Sequence, residues 1–320
     1  KKMAAFTVKS AGLSTTGTTG ADLFTVSNGA NAKTTILGLA GADTINMAAG
    51  VSTATSMLVD AAGDKDVITV GVGDLSSSTV KGGAGADIIS TNLTGTNSTI
   101  FAAGDGNDTV TISGAGTNGT EFSASTLTLG GGADALVMSA SNVTKSTIGA
   151  GSGADTIEVG MGAGSSSTVY GGGGADLITV SANAGGGLLI NGDSTVNGGG
   201  ADTINFEGKL SSSTINAKGG KDIITILTGG VNGTGSSVLG NAGADVIAIS
   251  GNIGGSANLI GGGSGNDTIT LSGSLGANAT LQGGGGADLI TFEGVNMSAQ
   301  IFGGAGADTI KVSGEEVQLG

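Results

Sequence analysis

The sequence predicts an all-β fold, a single right-handed parallel β-roll or β-helix of about 14 coils of roughly 21 residues. Three observations predict it. An aspartate returns at a nearly constant interval from one end of the chain to the other. Apolar residues follow it at the second and fourth places, and a glycine-rich turn leads into it.

The aspartates are Asp22, Asp43, Asp66, Asp87, Asp108, Asp134, Asp155, Asp176, Asp202, Asp222, Asp245, Asp267, Asp288 and Asp308. Successive gaps run from 20 to 26 residues, with 21 the commonest. A period of this length is that of a solenoid, in which each repeat stacks on the next and equivalent residues form rows. Here one row is made of carboxylates.

The strands come from the apolar pattern. Two residues past each aspartate the side chain is apolar in all fourteen copies, from Phe24 and Ile45 through Ile290 and Ile310. Four residues past it the same holds in thirteen, with Thr91 the exception. Such period-two alternation of β-branched residues reads as a strand with one buried face. Seven residues before the aspartate another apolar residue recurs, as at Ile36, Val80, Ile148, Val169, Ile215 and Ile301, usually after Ser or Thr. Each repeat is therefore expected to hold two short strands and two turns. Coils about 4.8 Å apart would build a rod on the order of 65–70 Å long. The expected layout is one continuous solenoid over 1–320: an N-terminal edge strand in 1–14, repeats over 15–312 and a tail at 313–320.

Composition supports this and narrows the chemistry. Of 320 residues, 67 are glycine and none is proline, and no every-third-residue glycine period of collagen is present. Seven Phe, one Tyr (Tyr170) and no Trp leave the interior to stacked Ile, Val and Leu. A 38% apolar content and a mean hydropathy of +0.28 are too high for a disordered acidic tail. Cysteine and histidine are absent and all eleven basic residues are lysine, which excludes disulfides and thiol or imidazole metal sites. Oxygen ligands remain, and these suit calcium and magnesium. A net charge of −14 without basic patches argues against nucleic acid. No apolar run long enough for a membrane span or a signal peptide is seen.

Five turns read Gly-Gly-x-Gly-x-Asp without error: Gly82 to Asp87, Gly171 to Asp176, Gly262 to Asp267, Gly283 to Asp288 and Gly303 to Asp308. Most others miss by one position, as in Gly38 to Asp43 and Asn197 to Asp202, and the weakest is Ala61 to Asp66, where Asp64 replaces the last glycine. With the apolar residue two places on, this resembles the RTX (repeats-in-toxin) nonapeptide, a calcium-binding β-helix repeat. The resemblance implies calcium ions held by the fourteen aspartates, up to one between adjacent coils. Turn carbonyls near Gly82, Gly85, Gly171, Gly174, Gly262, Gly265, Gly283, Gly286, Gly303 and Gly306 would complete the sites. RTX blocks carry two motifs per coil, whereas this chain has one, with Ser/Thr-rich segments such as Ser76–Thr79, Ser165–Thr168 and Ser211–Thr214 on the other edge.

Elementary electrostatics points the same way. Two carboxylates about 4.8 Å apart repel by roughly 3.5 kcal/mol at an effective dielectric of about 20. A row of them needs counter-charge or raised pKa values, and calcium supplies the former. The competing account is that each aspartate accepts backbone N–H bonds within its own turn.

Lesser features are the Ser/Thr edge as a place for sugars, with sequons at Asn97–Thr99 and Asn118–Thr120. The long gaps before Asp134 and Asp202 place loop insertions around 113–122 and 183–195. An ice-binding face would need a flat, regular Thr array and is not expected: Asn precedes the ladder aspartate only at Asn107 and Asn266, and Ala sits there in most other copies. With no His, Cys or Arg, the chain offers no catalytic constellation, and no enzymatic activity is expected. The resemblance extends to surface-layer proteins and solenoid adhesins, which implies an extracellular or cell-surface structural protein. Neither end shows a capping helix, so the expected partner is a second copy of the chain in a lattice or fibre, with cell-envelope polysaccharide also in view. Rival readings are a virion fibre or decoration protein, and the calcium-folding carrier module of a larger secreted RTX protein.

Overall fold

A computed structural model describes residues 3–9, 11–27, 32–47, 53–71, 73–114, 121–139, 142–160, 166–194, 199–294 and 299–313. The chain divides into two compact units, Lys1–Gly160 and Met161–Gly320. Both are parallel β-solenoids built from the same coil, and no helix occurs among the described residues.

In the first unit one sheet holds the strands that follow the aspartates: Asp22–Val26, Thr44–Met47, Val67–Val70, Ile88–Asn92, Thr109–Ser113, Ala135–Met138 and Thr156–Val159. Ala4–Val8 pairs in parallel with Asp22–Val26 at the edge of this sheet, so the expected edge strand is five residues long. A second sheet holds the strands that enter the glycine turns, among them Leu58–Gly63, Thr79–Ala84, Ile100–Asp105 and Thr126–Gly131. The second unit repeats both sheets, for example with Thr203–Phe206 on Ile223–Ile226 and Thr214–Gly219 on Ser237–Ala242. Pairing is strictly in register, so Ile68, Ile89 and Val110 lie in one row and Val59, Val80 and Phe101 in another.

The expectation of two strands per coil needs correction. In the first unit a third sheet joins Thr53–Thr55, Asp74–Ser76, Gly95–Asn97, Glu121–Ser123 and Asn142–Thr144. Each of these strands turns one residue inward, namely Ala54, Leu75, Thr96, Phe122 or Val143. A three-residue strand with a single buried side chain shows no alternation to count. In the second unit this side shrinks to the pair Val231–Asn232 and Ile253–Gly254 with isolated bridges such as Leu210 to Val231.

The core is the sum of these rows, from Phe24, Ile45 and Ile68 to Ile290, all fully buried. In-register stacking lets each buried branched side chain meet its equivalent above and below, worth roughly 1.5–3 kcal/mol per residue in burial. Thr91, the exception in the sequence pattern, is buried between Val70 and Ile112 with its hydroxyl unpartnered.

Candidate metal centre

The glycine turn brings the second sheet round to the first, and the aspartate is the residue at which the new strand begins. Its side chain points inward. Thirteen of the ladder aspartates, Asp22 through Asp288, are at most 3% exposed, and only Asp308 is less covered.

Each carboxylate has two different oxygens. Oδ1 accepts the backbone N–H of the aspartate one coil earlier. In the first unit these bonds run Asp22 to Asp43, Asp43 to Asp66, Asp66 to Asp87, Asp87 to Asp108, Asp108 to Asp134 and Asp134 to Asp155, at 2.7–2.8 Å. In the second they run from Asp176 through Asp202, Asp222, Asp245, Asp267 and Asp288 to Asp308, at 2.8–3.0 Å. The sequence account of bonding within the turn is therefore corrected: for these pairs the bond crosses between coils. Asp22 is a partial exception, since Thr18 N–H in its own turn donates to its Oδ2 at 2.5 Å.

The second oxygen is the informative one. Oδ2 of Asp43, Asp66, Asp87, Asp108, Asp134, Asp202, Asp222, Asp245, Asp267 and Asp288 is buried with no hydrogen-bond partner. A buried acceptor left unmatched costs about 1–3 kcal/mol, and more when charged. The polypeptide thus satisfies half of each carboxylate and leaves a row of oxygens open.

Burial decides the acidity. Desolvation raises the pKa of Asp66 and Asp202 to about 7 and of Asp43, Asp108, Asp222, Asp245 and Asp267 to about 6, partly offset by the inter-coil N–H bond. Repulsion from neighbouring ladder acids adds to this but is the smaller cause. Repulsion between ladder acids, the force the sequence brings to mind, ranks below burial.

The turn carbonyls fall into two sets. Those of the first glycine lie beside the carboxylate of the coil before: a Cβ built on Gly262 would stand 2.4 Å from Asp267 Oδ2 and 2.7 Å from the Gly283 carbonyl, and one on Gly283 2.4 Å from both Asp288 Oδ2 and the Gly303 carbonyl. Gly82 and Gly171 hold the same place against Asp87 and Asp176. Those of the fourth glycine point along the stack instead: the Gly85, Gly174, Gly265 and Gly286 carbonyls face Gly106, Gly200, Gly286 and Gly306 of the next coil. Among the described residues no three acidic side chains already converge as a finished cage. The donor set is nonetheless all oxygen, anionic and partly unsatisfied, and it fits a hard divalent cation.

One turn differs from its sequence reading. Asn197 lies outside the described residues. Gly192 takes the first place, a Cβ there standing 2.3 Å from Asp202 Oδ2. Asp193 takes the second, in register with Gly172. The insertion therefore falls between Asp193 and Gly199 rather than across 183–195, because Leu189–Asp193 remains a regular strand of the second sheet. Asp193 is 1% exposed, its Oδ1 accepts the Gly200 N–H at 3.1 Å, and its Oδ2 is orphaned. Its charge acts on both Asp202 and Asp222. Sequence reasoning missed this acid; its signal was the unassigned Gly192–Asp193 pair preceded by Leu189 and Ile190.

The opposite edge is also occupied internally. Ser78 Oγ accepts the Met57 N–H, Ser125 Oγ the Thr99 N–H, Ser146 Oγ the Ser125 N–H, Ser213 Oγ the Leu188 N–H and Asn258 Oδ1 the Ser236 N–H, at 2.9–3.2 Å. The last serine of these runs is thus a buried inter-coil acceptor rather than a surface group. Of the two sequons, Asn97 is exposed and Asn118 lies outside the described residues.

No protein-family model and no curated protein sequence matches the chain. A solved structure does: a hyperactive, Ca2+-dependent, β-helical antifreeze protein from an Antarctic bacterium is similar with a TM-score of 0.67 at 19% identity. The match covers 90% of this chain and 84% of that one. A likeness at that identity shows the fold, and the chain is an all-β parallel β-solenoid.

Proposed function

We propose that this chain is a calcium-stabilised β-solenoid of RTX type with a structural role outside the cell. The observation that carries the reading is the row of buried Oδ2 atoms without partners, which a divalent cation would satisfy together with turn carbonyls. The Ca2+ dependence of the β-helical antifreeze protein supports it. A protein that folds on calcium suits a calcium-rich exterior. Assembly of copies into a layer, lattice or fibre is supported by the outer row Leu177, Thr203, Ile223 and Val246 of the first sheet, in which Leu177, Ile223 and Val246 are 38%, 45% and 40% exposed. An ice-binding role is less favoured: Asn107 and Asn266 accept the N–H of Ala133 and Ala287 and so are used by the backbone.

The decisive experiment is thermal unfolding of metal-free chain with excess chelator and with millimolar calcium. An ion that binds only the folded state raises its stability by mass action. A large rise in melting temperature is expected with calcium, and ordered oligomers by light scattering and electron microscopy. Identical melting curves would overturn the calcium reading, and a monodisperse monomer at high concentration in calcium would overturn assembly.

A further inference from the structure

Two faces of the second unit, Met161–Gly320, complement each other in shape. The second sheet has a hole in its outer surface. Its outward positions run in register as Asn216, Leu239, Gly261 and Gln282, and only Gly261 brings no side chain to the row. The gap is a notch of about 150 Å3 lined by Leu239, Leu259, Asn241, Gly261 and Gln282. The backbone does not ask for glycine there: Gly261 has no positive φ, and a Cβ on it would meet only the tip of Leu239, at 3.3 Å. A hole of that volume takes one apolar group of about the size of benzene.

The first sheet carries the counterpart. Leu177, Ile223, Leu227 and Val246 are the exposed large apolar side chains of this unit among the described residues, and all four lie in or just after strands of the first sheet. Ile223 and Val246 are neighbours in register, at 45% and 40% exposure. Both sheets turn their other rows inward on the core, so projections and notch lie on the outside of different faces. Charge favours contact through these faces. The chain holds 25 acids and a net charge of −14, which repels a second copy. The strands of both sheets in this unit carry no exposed acid; the one acid within them, Asp193, is buried. Their lysines are Lys311 and Lys218, the latter in register with Asn241 at the rim of the notch.

We propose that the ridge of Ile223 and Val246 in one copy seats in the Gly261 notch of the next. The inference rests on the assembly reading and names its contact. A contact between two different surfaces of one chain is heterologous, so copies joined this way run on as a layer or fibre rather than stop at a dimer.

The test uses full-length chain in millimolar calcium, followed by sedimentation velocity and electron microscopy. Gly261→Thr fills the notch and replaces a glycine inside a strand, so its melting temperature should equal or exceed the parent's. Ile223→Thr combined with Val246→Thr removes the projections and leaves the residue type found in the same row at Thr203 and Thr268. Each variant is expected to associate about tenfold more weakly or worse, from the lost burial of an aliphatic side chain. An equimolar mixture of the two should recover pairing but stop at one-to-one dimers, because one variant keeps the projections and the other keeps the notch. Parent and both variants assembling alike would overturn the inference and leave the assembly reading intact. Variants that each stay monomeric and form no mixed dimer would overturn the pairing of notch with ridge. A parent that stays monomeric in calcium would overturn the assembly reading itself, and the inference with it.

Discussion

Oδ2 of Asp87 lies against the α-carbon of Gly82, five residues earlier in the same turn: a Cβ on Gly82 would stand 2.4 Å from that oxygen and 2.5 Å from the carbonyl of Ala103 in the next coil. Glycine is needed here for space, since Gly82 has no positive φ. Gly173 and Gly285 occupy the third place of equivalent turns with open space around them and no positive φ. Gly82→Ala is therefore expected to destabilise by about 1–3 kcal/mol. Gly173→Ala and Gly285→Ala should be neutral or gain up to about 1 kcal/mol. Denaturant unfolding of the three variants checks this, and equal losses at all three sites would contradict the packing argument.

Thr91 offers a stabilising change. Its hydroxyl is buried without a partner in a row otherwise filled by Val70 and Ile112. Thr91→Val keeps the shape and removes the orphaned oxygen, so a gain of about 1 kcal/mol is expected in chemical denaturation. A loss of that size would show that the hydroxyl has a partner in solution, such as a buried water.

The pH dependence of the metal-free chain follows from the raised acids. Burial lifts Asp43, Asp108, Asp222, Asp245 and Asp267 to about 6 and Asp66 and Asp202 to about 7 in the folded chain, against 3.8 as the ordinary value expected in the unfolded chain. Between these values the folded state holds more protons than the unfolded state. Their stabilising contribution is thus full below about pH 4 and is lost as pH rises through 6 to 7. Melting temperatures in chelator should fall over that window, while the gain from added calcium grows, because the ion needs ionised ligands. A metal-free melting temperature that climbs from pH 4 to 7 would contradict the assignment.

Asparagine and alanine at one ladder position separate the roles of the two oxygens. Asp87→Asn retains an acceptor for the Asp66 N–H, whereas Asp87→Ala leaves that N–H buried and unmatched. Without calcium at neutral pH the alanine variant should be less stable than the asparagine variant by about 1–3 kcal/mol. With calcium, both should lose part of the gain seen in the parent. The same outcome is expected at Asp66, whose glycine-poor turn reads as the weakest in sequence but whose side chain is fully buried and bonded to Asp43 N–H. Calcium titrations monitored by melting temperature test both positions.

Much of this was legible in the residues because a solenoid writes its geometry as a period. The rows through Ile45, Ile68 and Ile89 and through Asp43, Asp66 and Asp87 follow from spacing alone. Spacing does not say which way a carboxylate turns. Aspartate beside glycine reads as a local turn residue, and the N–H it accepts lies 21 residues away in sequence but one strand away in space. The third face around Leu75 and Val143 stayed hidden because one inward residue makes no pattern. Asp193 stayed hidden for another reason: the insertion splits its turn, and Asn197–Gly200 imitates the missing half.

In-register stacking has an implication for how such a chain can lengthen or shrink. Removing 67–87 as a block would set Thr109 where Ile88 stood and Asp108 where Asp87 stood, with each interior row still continuous. Removing one or three residues from a strand would turn its apolar side outward. Variation in length is therefore expected in two forms only: entire repeats, and insertions between two positions that each keep their register, as Asp193 does opposite Gly172 and Gly200 does against the Gly174 carbonyl.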